Sequence, residues 1–188
     1  MDAADETCKD PAKNGALFSD KQIIVTTKAI NAYSVAVGDF NGDGWLDLVS
    51  ASYGDNKIAW YKNTDGKGTF GQQLIVATKA IGAQSVVVGD FNGDGWLDLV
   101  SASSGMDGSE FDNKIAWYKN TDGKGTFGQQ IIVMMNAHSP VSVVVGDFNG
   151  DGWLDLASAS SDDRIAWYKN TDGKGTFGQQ IIVTTKAS

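Results

Sequence analysis

Apolar residues in this chain fall in short runs, each closed by Gly, Asn or Asp. Near the middle the runs are Ser85-Val86-Val87-Val88-Gly89, Leu97-Asp98-Leu99-Val100-Ser101-Ala102-Ser103, Lys114-Ile115-Ala116-Trp117-Tyr118-Lys119 and Gln130-Ile131-Ile132-Val133. Branched and aromatic residues favour strands, and the Asp122-Gly123-Lys124-Gly125 stretch between the last two runs is turn chemistry. The pattern predicts an all-β meander of four short strands. The runs are continuous rather than strictly alternating, which is expected where both faces of a sheet are covered, as in stacked blades.

The same four runs recur. The nine residues Asp39-Phe40-Asn41-Gly42-Asp43-Gly44-Trp45-Leu46-Asp47 return unchanged at Asp90 and at Asp147, spaced 51 and 57 residues apart. Periods of this size suit propeller blades better than helical solenoids. Residues 105–111 account for the longer second period, and residues 58–73 return unchanged from Ile115 and Ile165. Residues 18–29 resemble the end of the chain, residues 177–187, which reads as the last strand of a unit. The expected organisation is an N-terminal tail (1–17), a lone fourth-type strand (18–30) centred on residues 21–27, and repeats at 31–83, 84–140 and 141–188.

Each repeated loop places side-chain oxygens at positions 1, 3, 5 and 9, with position 7 able to offer a backbone carbonyl. Calcium takes about 6–8 oxygen ligands, so the spacing predicts one calcium site per loop. The candidate ligands are Asp39, Asn41, Asp43, the Trp45 carbonyl and Asp47; Asp90, Asn92, Asp94, Trp96 and Asp98; and Asp147, Asn149, Asp151, Trp153 and Asp155. The competing reading is an acidic turn facing water, since Asn-Gly and Asp-Gly are common hairpin signals. That reading leaves three carboxylates repelling one another in nine residues. An EF-hand loop would need an acidic ligand at position 12, where this chain has Ser50, Ser101 and Ser158.

A strand, a D-x-N-G-D-G-x-x-D loop, a second strand and a later Phe-Gly pair resemble the FG-GAP and VCBS repeats of integrin α-subunit-type β-propellers, over residues 18–188. The resemblance implies one four-stranded blade per repeat, with the calcium loop joining its first two strands. The chain departs from the pattern in number. Closed propellers carry about 4–8 blades, and three are present. Completion by a homo-oligomer is expected, either as a ring of two chains or as a filament propagated by strand exchange, because unpaired edges and blade faces favour association.

Charge changes this picture little. The net charge is −8, and the nine loop aspartates more than account for it, leaving the remainder at about +1. The acidity belongs to the loops and argues against nucleic acid or an anionic membrane as partner. No apolar run reaches the ~18–20 residues of a membrane span. The first residues lack the basic flank and apolar stretch of a signal peptide, so a signal has been removed or none is needed. Cys8 stands alone, which excludes an internal disulfide and leaves a free thiol or an intermolecular bridge. Weak calcium sites fill outside the cell, so an extracellular or cell-surface location is expected.

Catalytic constellations are absent from the repeated unit, and no enzyme activity is expected. His138, the single histidine, reads as a surface-loop residue. Trp60, Trp117 and Trp167, each followed by Tyr, are expected to pack between blades. Trp45, Trp96 and Trp153 lie in the loops, where they either pack on the blade or form platforms for sugar rings. Lys62, Lys119 and Lys169 alternate with Asp and Asn and read as a solvated face. No N-x-Ser/Thr sequon occurs. The expected function is a calcium-binding extracellular module for self-assembly, adhesion or a structural role, with glycans or extracellular proteins as further partners. The alternatives are a multivalent carbohydrate-binding lectin, and non-catalytic blades of a larger propeller enzyme such as a polysaccharide lyase.

Overall fold

The computed structural model describes residues 23–105 and 113–184. Among these residues twelve strands form three antiparallel sheets of four. Blade 1 contains β1 (Ala32–Gly38), β2 (Asp47–Ser52), β3 (Lys57–Tyr61) and β4 (Leu74–Ala77). Blade 2 contains β5 (Ala83–Gly89), β6 (Asp98–Ser103), β7 (Lys114–Tyr118) and β8 (Ile131–Met135). Blade 3 contains β9 (Pro140–Gly146), β10 (Asp155–Ser160), β11 (Arg164–Tyr168) and β12 (Ile181–Thr184). Strand order follows sequence order in every sheet, so each blade is a meander. The expected fold class is observed.

Register is repeated with the sequence. Val49 pairs with Trp60, Val100 with Trp117 and Ala157 with Trp167. The irregularity between Ile58 and Ala59 recurs at Ile115/Ala116 and Ile165/Ala166, bending the outer strand away in each blade. Inside each blade a tyrosine hydroxyl meets a serine and a glutamine: Tyr118 Oη lies 3.1 Å from Ser101 Oγ and accepts from Gln130 Nε2 at 2.8 Å. Burial raises the Tyr118 hydroxyl pKa, so it stays neutral and can serve both partners.

The core lies between blades. One cluster joins Phe40, Val49, Ile58 and Trp60 of blade 1 to Val86 and Tyr118 of blade 2. The other joins Phe91, Val100, Ile115 and Trp117 of blade 2 to Val143 and Tyr168 of blade 3. Trp60 and Trp117 are buried at these boundaries, whereas Trp167, which meets no further blade among the described residues, is only half-buried. Among the described residues no ring closes, and blade 1 and blade 3 each keep one open face.

One expectation fails over its described part. Residues 23–28 form no strand, although Ile23, Ile24, Val25 and Thr26 repeat the four residues of β12. The place that β12 holds beside β11 is filled in blade 1 by β4 beside β3, so the segment has no equivalent strand to pair with there. Residues 18–22 of that predicted strand, Cys8, and most of the insertion at 105–111 lie outside the described residues. Among the described residues no helix is long and apolar enough to cross a membrane.

Candidate metal centre

Each loop begins where the first strand of its blade leaves the sheet, and its path is set by two glycines. Gly42 and Gly44 have φ of 72° and 85°, which L side chains rarely adopt. This left-handed path turns successive N–H groups inward. Asp39 Oδ1 accepts from Gly42 N at 2.8 Å and Asp43 N at 3.2 Å, and its Oδ2 accepts from Gly44 N at 2.7 Å. Asn41 Oδ1 accepts from Asp43 N at 3.0 Å, and Asp43 Oδ1 accepts from Trp45 N at 3.1 Å. Asp90, Asn92 and Asp94 repeat these contacts in blade 2, as do Asp147, Asn149 and Asp151 in blade 3. The N–H of Gly152, first among several donors, holds the Asp147 carboxyl below the usual range.

Position 9 behaves differently. Asp47 is fully buried and accepts from Phe40 N at 3.1 Å, Asn41 Nδ2 at 3.3 Å and Asn63 N at 2.8 Å. Asp98 accepts from Asn92 Nδ2 and Trp117 Nε1, both at 3.1 Å, and from Asn120 N at 2.7 Å. Asp155 accepts from Asn170 N at 2.8 Å. This carboxylate therefore pins the loop to the end of the third strand. Burial pushes Asp98 up to about 6, with the Asp94 charge adding to it, and burial likewise raises Asp47. A buried carboxylate in this position gains from any cation brought to the loop.

A cation is already drawn there. Lys62 Nζ lies 3.0 Å from Asp43 Oδ2, Lys119 Nζ 3.1 Å from Asp94 Oδ2 and Lys169 Nζ 3.1 Å from Asp151 Oδ2. These lysines are not the featureless solvated face expected from their alternation with Asp and Asn. Each follows a Trp-Tyr pair whose strand runs back alongside the loop, a neighbourhood that sequence spacing does not show.

The donor set is all oxygen and fits a hard cation in its chemistry. Its convergence is incomplete: among the described residues no three carboxylates come close enough together to hold an ion as they stand. Asn41 turns its Nδ2 rather than its oxygen toward Asp47. Asp39, Asn41, Asp43 and Asp47 are thus gathered in one loop, while the position 9 carboxylate is held by backbone donors.

The loop tryptophans pack on their own blade. The Trp45 indole covers Gly66 so tightly that a Cβ there would sit 2.6 Å from Nε1, and Trp96 and Trp153 cover Gly123 and Gly173 alike. Their outer surfaces remain 40–41% exposed. Asn63, Asn120 and Asn170 carry no role in the sequence reading, yet Asn120 and Asn170 are fully buried. Asn120 Nδ2 donates to Phe40 O of the preceding blade at 2.9 Å, and its Oδ1 accepts from Gly123 N at 3.1 Å. The recurrence of Asn-Thr-Asp-Gly carried the only available signal. A cleft of about 140 Å³ opens at the second boundary, where Asp90, Phe91 and Gly93 face Trp153, Asn170 and Gly173. His138 lies on an exposed turn, with Nδ1 3.4 Å from Asp162 Oδ2, which also pairs with Arg164.

Four-stranded blades, each with an Asp-rich loop between its first two strands, define a propeller-type repeat protein. The FG-GAP-like repeat family matches residues 12–50, 39–101, 100–158 and 147–188, and the chain belongs to that family. Among solved structures, the chain is similar to an Agrocybe aegerita lectin described for specific recognition of non-reducing terminal N-acetylglucosamine. The TM-score is 0.55 and the identity 24%, over 80% of this chain and 38% of that one. A complex of BBS1N with ARL6DN gives a TM-score of 0.42 and 17% identity, over 86% of this chain and 57% of that one. The V. cholerae biofilm matrix protein Bap1 gives 0.36 and 22%, over 79% and 28%. No curated protein matches the chain. This chain thus spans well under half the length of the lectin it overlays.

Proposed function

We propose that the chain is a calcium-binding, extracellular repeat module that acts by self-association in an adhesive or structural role. The observation that carries this reading is the loop itself, present three times with the same four oxygen side chains held by the same backbone donors. Calcium would sit among Asp39, Asn41, Asp43, the Trp45 carbonyl and Asp47, and at the matching residues of the other two loops. There it supplies a divalent charge that converts repulsion between carboxylates into a cross-link between the first and second strands. Lys62, Lys119 and Lys169 hold part of that charge in reserve and withdraw as the ion enters. We assign the chain no catalytic step. Thermal unfolding with calcium and with chelator tests the reading. Saturated sites stabilise by about 2.7 kcal/mol each at a hundredfold excess over Kd, and superimposable melting curves would refute it.

A second reading, multivalent glycan binding, is favoured by the cleft beside Asp90 and Trp153, where an exposed indole borders polar groups. Binding to a glycan array in calcium, lost on Trp153→Ala with calcium affinity retained, would support it. An array without hits would exclude it.

A further inference from the structure

The two blade boundaries are built from the same parts, and the parts for a third are left over at the ends. At the first boundary Phe40, 0% exposed, and Trp60 on the back of blade 1 pack with Val86, 3% exposed, on the front of blade 2. At the second, Phe91 and Trp117 pack with Val143, which are 1%, 6% and 2% exposed. The equivalents at the ends are open. Phe148 on the back of blade 3 is 50% exposed, and Val35, Val37 and Leu46 on the front of blade 1 are 68%, 54% and 61% exposed.

Directional contacts repeat in the same sense. Asn120 Nδ2 donates to Phe40 O and Asn170 Nδ2 to Phe91 O, both at 2.9 Å. Val86 N donates to Ser34 Oγ at 3.2 Å and Val143 N to Ser85 Oγ at 3.3 Å. Trp60 covers Gly125 and Trp117 covers Gly175 so closely that a Cβ at either glycine would overlap the indole. The equivalent Gly68 on blade 1 has nothing beyond its chain neighbours within 4 Å of where a Cβ would stand. Asn63 Nδ2 donates only within its own blade among the described residues, to Leu46 O at 3.2 Å.

We propose that the back of blade 3 docks onto the front of blade 1 of a second copy, so that two chains close one six-bladed ring through two identical head-to-tail contacts. The proposal rests on the self-association half of the reading above. By continuation of the two existing boundaries, Phe148 of the second copy covers Val35 and Val37, and its Trp167 covers Gly68. Asn63 Nδ2 donates to the carbonyl of that Phe148, and Val35 N to Ser142 Oγ of the second copy. Blade number selects the ring: closed propellers have about 4–8 blades, and six is the multiple of three in that range. A head-to-tail contact that closes after two copies leaves no blade face exposed.

Residues 23–29 belong to this arrangement. With Val35 and Tyr61, residues 23–26 and Ala29 border an apolar cleft of about 300 Å³ on the front of blade 1. On blade 2 the corresponding place is taken by Val76, Ala77 and Ala80, from β4 and the turn after it. Residues 23–29 and 181–187 are the same seven residues, Ile-Ile-Val-Thr-Thr-Lys-Ala. Either chain can therefore supply the fourth strand of the docked blade without altering the side chains at the contact.

The test is the mass of the full chain in solution with calcium, by light scattering across a concentration series. The proposal expects a closed dimer of twice 19.9 kDa that does not grow with concentration. Val35→Asp and Phe148→Asp should each weaken association about 100-fold, since each sets a charge in a desolvated contact. Mixing the two variants should restore a dimer through the one boundary intact in both chains. Val37→Lys serves as a second front-face variant should Val35→Asp fail to fold. Species that lengthen with concentration would overturn the ring and leave self-association standing. A wild-type monomer at all concentrations would overturn both. Front-face variants that become monomers while Phe148→Asp stays dimeric would show a symmetric front-to-front contact and overturn the proposal.

Discussion

Phe91 and Phe148 hold the same place in identical loops, yet the first is sealed between two blades and the second is half open to water. The same contrast separates Trp117, buried against blade 3, from Trp167, half-buried with no further blade against it among the described residues. Identical residues thus have unequal energetic roles. In a repeat array stability is the sum of what each unit holds by itself and what it shares with its neighbours, and only blade 2 has neighbours on both sides.

The sharpest way to break this comparison is substitution at the equivalent tryptophans. Trp117→Ala should destabilise by about 3–5 kcal/mol in chemical denaturation. Trp167→Ala in the isolated chain should cost less than half as much, because part of its surface is already wet. Equal losses would mean that the boundary adds little to what a blade contains alone.

Next in size is calcium. Chelation should lower stability by about 2.7 kcal/mol for each site previously saturated at a hundredfold excess. Asp94→Ala in the middle loop should reduce cooperativity more than Asp151→Ala, since a loosened blade 2 uncouples both neighbours. Calorimetry that shows the two variants melting alike would contradict the coupling.

The buried asparagines give a smaller contrast. Asn120→Ala removes a bond to Phe40 O and one that braces the Gly123 turn, and should cost about 1–3 kcal/mol. In the isolated chain Asn63→Ala, whose side chain reaches no other blade among the described residues, should cost nearer 1 kcal/mol. Urea denaturation of the two variants compares them directly.

Smaller again is a pH effect in chelator. Asp98 has a pKa of about 6 in the folded chain against an ordinary value of 3.8. The native state therefore binds more protons than the unfolded state between those values, so stability should fall as pH rises from 4 to 6. The expected loss is on the order of 1–2 kcal/mol after allowance for solvent screening. Asp98→Asn should flatten this slope.

The smallest effect concerns the ammonium groups. Lys119→Met should change metal-free stability by less than about 1 kcal/mol, as partly exposed ion pairs do. It should nevertheless tighten calcium binding at that loop, which isothermal titration would detect.

Much of the fold was legible in the sequence because its information is periodic. The four strand runs and the turn at Asp122-Gly123 are local, and each repeats often enough to fix its meaning. Residues 23–28 were not legible from local pattern, since Ile23 to Thr26 match β12 residue for residue; what differs is that β12 pairs with β11, whereas the matching place beside β3 is taken by β4. In the loops, the oxygen residues at positions 1, 3 and 5 were visible as a set. The backbone anchoring of Asp47, Asp98 and Asp155, and the approach of Lys62, Lys119 and Lys169, arise from strands that return beside the loop, and no spacing rule reports them.

The central claim is that these loops are calcium sites, and the most direct measurement is the number of ions bound per chain. Equilibrium dialysis against calcium with elemental analysis should find three per chain, falling to two in Asp94→Ala. A purified, folded chain that retains no calcium above the dialysis buffer at millimolar concentrations would contradict the account.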